Sequence, residues 1–258
     1  MTADARLDLD IGADLAEIAA AAAALILPLW RTDIAVIAKA DKSPVTEADR
    51  RAETQILEGL ARRFPGVPVI SEEDASEFGT PGSIGPRFFL VDPLDGTKAF
   101  VRGDPHFTVN IALIEDGTPV VGAIAAPASG EIWHTTPQGV LKRHGDGPSA
   151  PIRPRPWPEG EALALISHTM KVETADELAA RYNFHRREPM DSSIKFCRIA
   201  EGAADIYPRH GPTMEWDTAA GHAILVAAGG KVTTPEGEPF VYGKADQGFK
   251  NGWFVARA

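Results

Sequence analysis

The sequence predicts an α/β protein in two parts: an antiparallel-rich α+β first half, residues 1–147, and an alternating α/β second half, residues 148–258. Three observations predict it. Between His106 and Arg143, short apolar runs are separated by turn residues at Asp116-Gly117 and Pro137-Gln138-Gly139, the pattern of consecutive hairpins. Beyond residue 160, strand-like and helix-like runs alternate. Between these regions lies the proline-rich segment "GDGPSAPIRPRPWPEG", residues 145–160, the best place for a boundary.

Taken in order, the first periodic segment is "DLAEIAAAAAALILPLW", which predicts a buried amphipathic helix starting near Asp14. Its apolar part, Ile18 to Trp30, is too short for a membrane span and contains Pro28; the flank before it is acidic where a secretory leader is basic. The expectation is a soluble, cytoplasmic enzyme or binding protein. Ser43-Pro44 breaks the chain, and Thr46 with Asp49 has the spacing of a capping box, with Asp in place of the usual Glu or Gln. Ala52, Ile56, Leu57 and Leu60 recur at helical spacing up to Pro65-Gly66. "VPVIS" is a short strand leading into Glu72-Glu73-Asp74, and the glycine-rich stretch from Ala75 to Arg87 reads as a surface loop or lid. Phe88 to Val91 is a strand that ends in acids. In the second half "ALALISH", "AADIYPR", "KVTTPEG" and "GWFVAR" read as strands. "TADELAARY", "SSIKFCRIAEG" and "WDTAAGHAILVAAGG" read as helices, the last closed by Gly229-Gly230.

Composition excludes several functions. With 258 residues a sizeable core is expected. The formal net charge of -10 argues against a nucleic acid polymer, whose phosphates need Lys and Arg. A single cysteine, Cys197, excludes an intrachain disulfide and a thiolate metal site; beside Phe196 it reads as a buried helix residue. The histidines show no metal spacing, no G-x-S-x-G elbow occurs, and the glycines do not match a dinucleotide fingerprint.

The chemistry-bearing residues are carboxylates: Asp49, Glu72-Glu73-Asp74, Asp92 with Asp95, and Asp217. They sit where strands end or helices begin, the places where α/β proteins build sites. In "VDPLDGT" two acids lie three apart with Pro93 fixing the turn between them, so both can face hard cations such as magnesium, with the Leu94 carbonyl pointing the same way. Gly96 lets a ligand approach the backbone, and the Gly96 and Thr97 amides can hold a phosphate. The plainer alternative is a type I turn with an Asx cap at Asp92, helix-dipole acids at Asp49 and Asp217, and a solvated loop at residues 72–74. The hydrophobic strand and the other acids favour a site. His168 and His210 are either substrate contacts or ordinary loop histidines.

"VDPLDGTKAF", with "SEE" before it and "WDTAAGHAILVAAGG" over a hundred residues later, resembles the inositol-monophosphatase-like superfamily of magnesium-dependent, lithium-sensitive phosphatases. "KADKSPVTEAD", "FTVNIALI", "SSIKFC" and "AEGAADIYPRHGPT" are similar to its CysQ-type 3'(2'),5'-bisphosphate nucleotidase branch. Two positions depart from that branch: Ala99 stands where it has Glu, and Asp191 where it has Gly. The resemblance implies a layered αβαβα sandwich of the inositol monophosphatase and fructose-1,6-bisphosphatase type. It implies two or three Mg2+ ions, with Glu72, Asp92 and the Leu94 carbonyl holding the first and Asp92, Asp95 and Asp217 the second. Asp49, near a third and weaker metal, and Thr97 are implied as the pair that positions or deprotonates the attacking water, with Glu72 also catalytic. Gly96 and Thr97 would bind the scissile phosphate. Ser192, Ser193, Lys195, Arg209 and His168 are candidates for the rest of the substrate, although Ser192 and Ser193 are also read as helix caps and Lys195 as a solvated charge. The implied reaction is hydrolysis of adenosine 3',5'-bisphosphate to AMP and phosphate by a metal-activated water, linked to sulfate assimilation. The alternatives are inositol monophosphate, histidinol phosphate or a sugar phosphate as substrate, or a non-catalytic metal-binding regulator. The resemblance also allows a monomer or a homodimer, and a peripheral place at the inner membrane.

Overall fold

The structure, a computed structural model, describes residues 11–32, 35–38 and 44–258. The "KADKS" part of the second motif block, residues 39–43, lies outside the described residues. The chain opens with α1 (Ile11–Ile26), the antiparallel pair β1 (Val36–Ala38) and β2 (Pro44–Thr46), and α2 (Glu47–Arg63). Next come β3 (Val69–Ser71), α3 (Glu72–Phe78), β4 (Arg87–Asp95) and α4 (Thr97–Arg102). A meander follows: β5 (Thr108–Glu115), β6 (Thr118–Ala126), β7 (Glu131–Thr136), β8 (Gly139–His144) and β9 (Ala150–Ile152). The remainder supplies β10 (Leu163–Ile166), α5 (Val172–Tyr182), β11 (Arg186–Pro189), α6 (Ile194–Ala200) and β12 (Ile206–Arg209). It ends with β13 (Thr213–Met214), α7 (Glu215–Ala228), β14 (Lys231–Thr233), β15 (Lys250–Asn251) and β16 (Phe254–Arg257).

β3 to β9 form a seven-stranded sheet in chain order, antiparallel at every step except β3–β4. The turn at Asp116-Gly117 has positive φ at both residues, 47° and 76°, which suits the twist of a two-residue hairpin. The second sheet is ordered β11-β10-β12-β16-β14, parallel across its first three strands and antiparallel beyond.

Alternation along the strands sorts the core into layers. Phe89, Val91, Ile111, Leu113, Ala123 and Ala125 face α1 and α2; Phe88, Leu90, Ala112, Ile114 and Ile124 face the other way, onto α6 and α7. The second sheet divides likewise. Leu163, Leu165, Tyr207 and Phe254 meet α6 and α7, while Ala164, Ile166, Ile206 and Val255 meet α5. The result is the αβαβα sandwich, with α6 and α7 as its central layer.

Several elements differ from the sequence reading. α1 already includes Ile11, and a 3-10 turn at Leu27–Leu29 extends it, with Pro28 at a position that needs no N–H donor. The run Ile11–Leu29 is long and apolar enough to cross a membrane, yet Leu15, Ala19, Ala22 and Ile26 are fully buried in the core shared with α2 and the sheet. Here it is a core helix. Ala75 to Phe78 belong to α3 and not to the loop, because three acids occupy the first turn and Glu53 Oε1 accepts from the Glu73 and Asp74 amides at 3.2 Å each. β4 continues past Val91 to Asp95, which still pairs with Thr108. β11 went unpredicted: "RREP" is an exposed edge with no apolar alternation to read. β9, inside the proline-rich segment, still pairs with β8, so the first sheet ends at Ile152. Cys197 is buried in α6 as expected.

The central layer is tight enough to demand glycine. A Cβ on Gly221 of α7 would lie 2.3 Å from Phe196 Cδ2 and 2.8 Å from its Cβ. Gly221→Ala is expected to lower stability by about 1–3 kcal/mol, the cost of overpacking, despite a helix-propensity gain of up to about 1 kcal/mol. The urea midpoint checks it; an unchanged or raised midpoint would mean that Phe196 swings aside freely.

Candidate active site

The site is assembled where β4 ends and four helices begin. The β4–β5 register shifts between Asp92 and Asp95, which re-aims both side chains. Asp92 is fully buried, and its Oδ1 accepts from the Leu94 amide at 3.0 Å, an Asx turn around Pro93. The plain-turn reading is thus correct locally, but the turn is internal. Asp95 Oδ2 accepts from the Ser193 amide and, at 3.5 Å, from Asn110 Nδ2. Gly96 follows at φ 92°, and a Cβ there would sit 2.8 Å from the His106 carbonyl oxygen. Backbone geometry and close approach both require glycine. Thr97 then opens α4, its Oγ1 3.1 Å from Asp49 Oδ1 and 3.0 Å from the Leu94 carbonyl oxygen, two acceptors for one proton.

The helices deliver the other acids. Asp49 is the third residue of α2: its Oδ2 accepts from Thr46 N and Thr46 Oγ1, each at 2.7 Å, the capping box the spacing predicted. Its other oxygen is the one that meets Thr97. Asp217 sits at the same position of α7, its Oδ2 accepting from Met214 N at 2.8 Å. Glu72 is the first residue of α3. Glu72, Asp92 and Asp217 each bring a carboxylate oxygen within 4.8 Å of the others. Neither Glu73 nor Asp95 belongs to this trio.

Burial first, with neighbouring acids adding to it, raises the pKa values of Asp49, Asp92, Asp95 and Asp217. Asp92 and Asp217 stand well above the ordinary carboxylate range, Asp92 through burial and the charges of Glu72, Asp95 and Asp217, and Asp217 through burial, Asp95 and Glu72. Asp95 is raised to about 6, chiefly by burial, with Lys195 opposing. Asp49 is raised by burial against its Thr46 bonds. An all-oxygen donor set crowded this way fits a hard divalent cation, which would relieve the repulsion.

A cavity of about 350 Å³ opens over the acids. Cations share its lining: Lys98, Arg102, Lys195 and Arg209, together with Asp191, Ser192 and Ser193. Lys195 is not a solvated charge. It is 3% exposed, its Nζ donates to the Met190 and Ser192 carbonyls and lies 4.7 Å from the centre of the Tyr207 ring. Burial brings its pKa down to about 8, against the pull of Asp95. Ser193 does not cap α6 with its side chain; its hydroxyl bonds Asn110 Oδ1 at 2.7 Å and meets Thr108 Oγ1 at 2.9 Å. Arg209 Nε and Thr213 Oγ1 are buried without a hydrogen-bond partner among the described residues, and both residues line the cavity. His168 lies beside it, its Nδ1 3.3 Å from Asp191. His210 bonds Tyr182 and stacks on Trp253, outside the cavity lining.

The sequence reading missed Arg102, Asn110, Tyr207 and Thr213. Tyr207 was legible, since it shares a face of β12 with Arg209 at a spacing of two. Asn110 was not, because its role depends on the pairing of β5 with β4.

Asp95 carries a testable consequence. Its folded pKa of about 6 lies above the ordinary value. The stability its protonated form contributes is present below about pH 4 and lost as pH rises through the folded value. In chelator, Asp95→Asn is expected to be more stable than wild type by about 1–3 kcal/mol at pH 7 and little changed at pH 4. Denaturant titrations at the two pH values check it; equal midpoints at pH 7 would remove the cost of burying the charged Asp95 from the account.

A profile of the inositol monophosphatase family matches residues 10–254. The 3'(2'),5'-bisphosphate nucleotidase CysQ of Escherichia coli K12 is 42% identical over 207 residues, 80% of this chain and 82% of that protein. The protein of the same name from Buchnera aphidicola is 39% identical over 248 residues, 95% of this chain and 92% of its own. The crystal structure of CysQ from Bacteroides thetaiotaomicron superposes with a TM-score of 0.77 at 35% identity, covering 95% of this chain and 96% of that one. A family match over nearly the whole chain, joined to this layered fold and its acidic centre, means that the chain belongs to the inositol monophosphatase family.

Proposed function

We propose that this chain is a magnesium-dependent, lithium-sensitive 3'(2'),5'-bisphosphate nucleotidase that hydrolyses adenosine 3',5'-bisphosphate to AMP and phosphate. The observation that carries the reading is one cavity lined by both a carboxylate cluster and several cations, in a chain about 40% identical to CysQ nucleotidases. Glu72, Asp92, Asp95, Asp217 and the Leu94 carbonyl would hold two or three Mg2+ ions, with Asp49 at the edge of this set. Bound magnesium supplies charge neutralisation for the phosphoryl oxygens and acidifies water.

The protein's own groups do the positioning. Thr97 Oγ1 gives its proton to Asp49 Oδ1, which leaves a lone pair facing the cavity to accept from the attacking water. Asp49 is held for this by its two Thr46 bonds. The Gly96 and Thr97 amides receive the scissile phosphate. Lys195 and Arg209 neutralise the phosphate that is not cleaved, and Ser192, Ser193 and His168 lie on the nucleoside side. The setting we propose is cytoplasmic, with a small phosphomonoester as the partner, a place in sulfate assimilation and a monomer or homodimer.

Two measurements test this. Phosphate release from adenosine 3',5'-bisphosphate should exceed that from inositol 1-phosphate in kcat/KM, require Mg2+ and fall on adding lithium; a preference for the inositol ester would keep the mechanism and replace the substrate. Thr97→Ala is expected to lower kcat about 100-fold or more, the usual scale of a lost proton-transfer partner, with KM changed only a few-fold. A near wild-type kcat would displace Thr97 from the reaction.

A further inference from the structure

The bridge between Arg102 and Asp191, beside the cavity, has no part in the reaction above. Arg102, the last residue of α4, comes from the first half of the chain; Asp191 and His168 come from the second. Asp191 Oδ2 accepts from Arg102 Nη2 at 2.7 Å, and its Oδ1 lies 3.3 Å from His168 Nδ1. Asp191 is only 19% exposed, and its bond to Arg102 and the charge of His168 hold its carboxyl below the usual range against the effect of burial. The segment that carries it is pinned on both sides. Met190 N donates to the Ile166 carbonyl at 2.8 Å, Ser193 N donates to Asp95, and Ser192 between them has φ 57°, rare for a residue other than glycine. Asp191 is therefore a fixed anchor. A half-exposed arginine held by a fixed carboxylate is preorganised, and it loses little entropy when it takes an anion.

The position of Arg102 gives it a task. Lys195 is deep in the wall and spends Nζ protons on two backbone carbonyls. Arg102 lines the same cavity and is half-exposed, and bonding Asp191 through one Nη leaves guanidinium donors for a second acceptor. Building on the nucleotidase reading, we infer that Asp191 is a positioning residue that fixes Arg102 as a receptor for the substrate's second phosphate, so that the Arg102–Asp191 bridge sets the preference for bisphosphates over monophosphates. The carboxylate does not repel the substrate, because Arg102 and His168 face it.

The test compares kcat/KM for adenosine 3',5'-bisphosphate and adenosine 3'-monophosphate in wild type, Arg102→Ala, Asp191→Ala, the double variant and Asp191→Glu. Each alanine variant should reduce the bisphosphate-to-monophosphate ratio about tenfold or more, the scale of one charge-assisted hydrogen bond, and mainly through KM. The double variant should cost no more than Arg102→Ala alone, since the two residues act as a unit, and Asp191→Glu should restore part of the ratio. Arg102 is half-exposed, so its replacement does not put the fold at stake. Equal losses on both substrates, additive single effects or an unchanged ratio would overturn the bridge while leaving the nucleotidase reading intact. A wild-type enzyme that does not distinguish the two nucleotides would overturn that reading, and the inference with it.

Discussion

Carboxylates that repel one another are held together at the centre of this molecule, and most of its architecture answers that constraint. Asp92 is fully buried with Glu72 and Asp217 within reach, and the charges of Glu72, Asp95 and Asp217 raise its proton affinity. No apolar packing would gather such groups. What gathers them is the backbone: a strand end with a shifted register, and the starts of α2, α3 and α7, whose unpaired amides favour negative charge. Asp49 and Asp217 use one device. Each is the third residue of its helix, each spends one oxygen on the amide of the residue before the helix, and each is left with a second oxygen for other work.

The same constraint explains why the site lies between the two halves of the chain. Asp92 and Asp95 come from the first sheet and Asp217 from α7, so neither half holds the full acidic set. The joint is made by the central layer, where α6 and α7 share one hydrophobic cluster with both sheets. It is also made by polar contacts at the site: the Ser193 amide meets Asp95, the Ser193 hydroxyl meets Asn110 and Thr108, and Asp191 meets Arg102. The interface and the site are one piece of structure. A shift of either half would change the spacing of the acids and of the cations together.

The cations balance the acids without cancelling them. Lys195 is buried and held by two carbonyls, the buried Arg209 Nε has no hydrogen-bond partner among the described residues, and Arg102 is tied to Asp191. One cavity lined by both hard oxygen donors and fixed cations suits a phosphorylated ligand bound through metal.

The sequence by itself determined the parts of this protein that depend on near neighbours. Strand alternation from His106 to Arg143, the Thr46–Asp49 capping box, the Asx turn at Asp92, the glycine at 96 and the buried Cys197 are local consequences of backbone geometry and residue type. The metal-ligand candidates were legible too, because acids at strand ends and helix starts are unusual enough to stand out and resemble a known family's pattern. Only the tertiary structure decided which acids share a centre, that Lys195 is buried and not solvated, that Ser193 bridges to Asn110 and Thr108 and does not cap α6, and that Arg102 and Asp191 form one unit. Those facts depend on the pairing of β4 with β5 and on the docking of α6 and α7 between two sheets. The contacts of Ser193 with Asn110 and Thr108 and of Arg102 with Asp191 join residues 83 to 89 positions apart, a distance over which local propensity and periodicity carry no information.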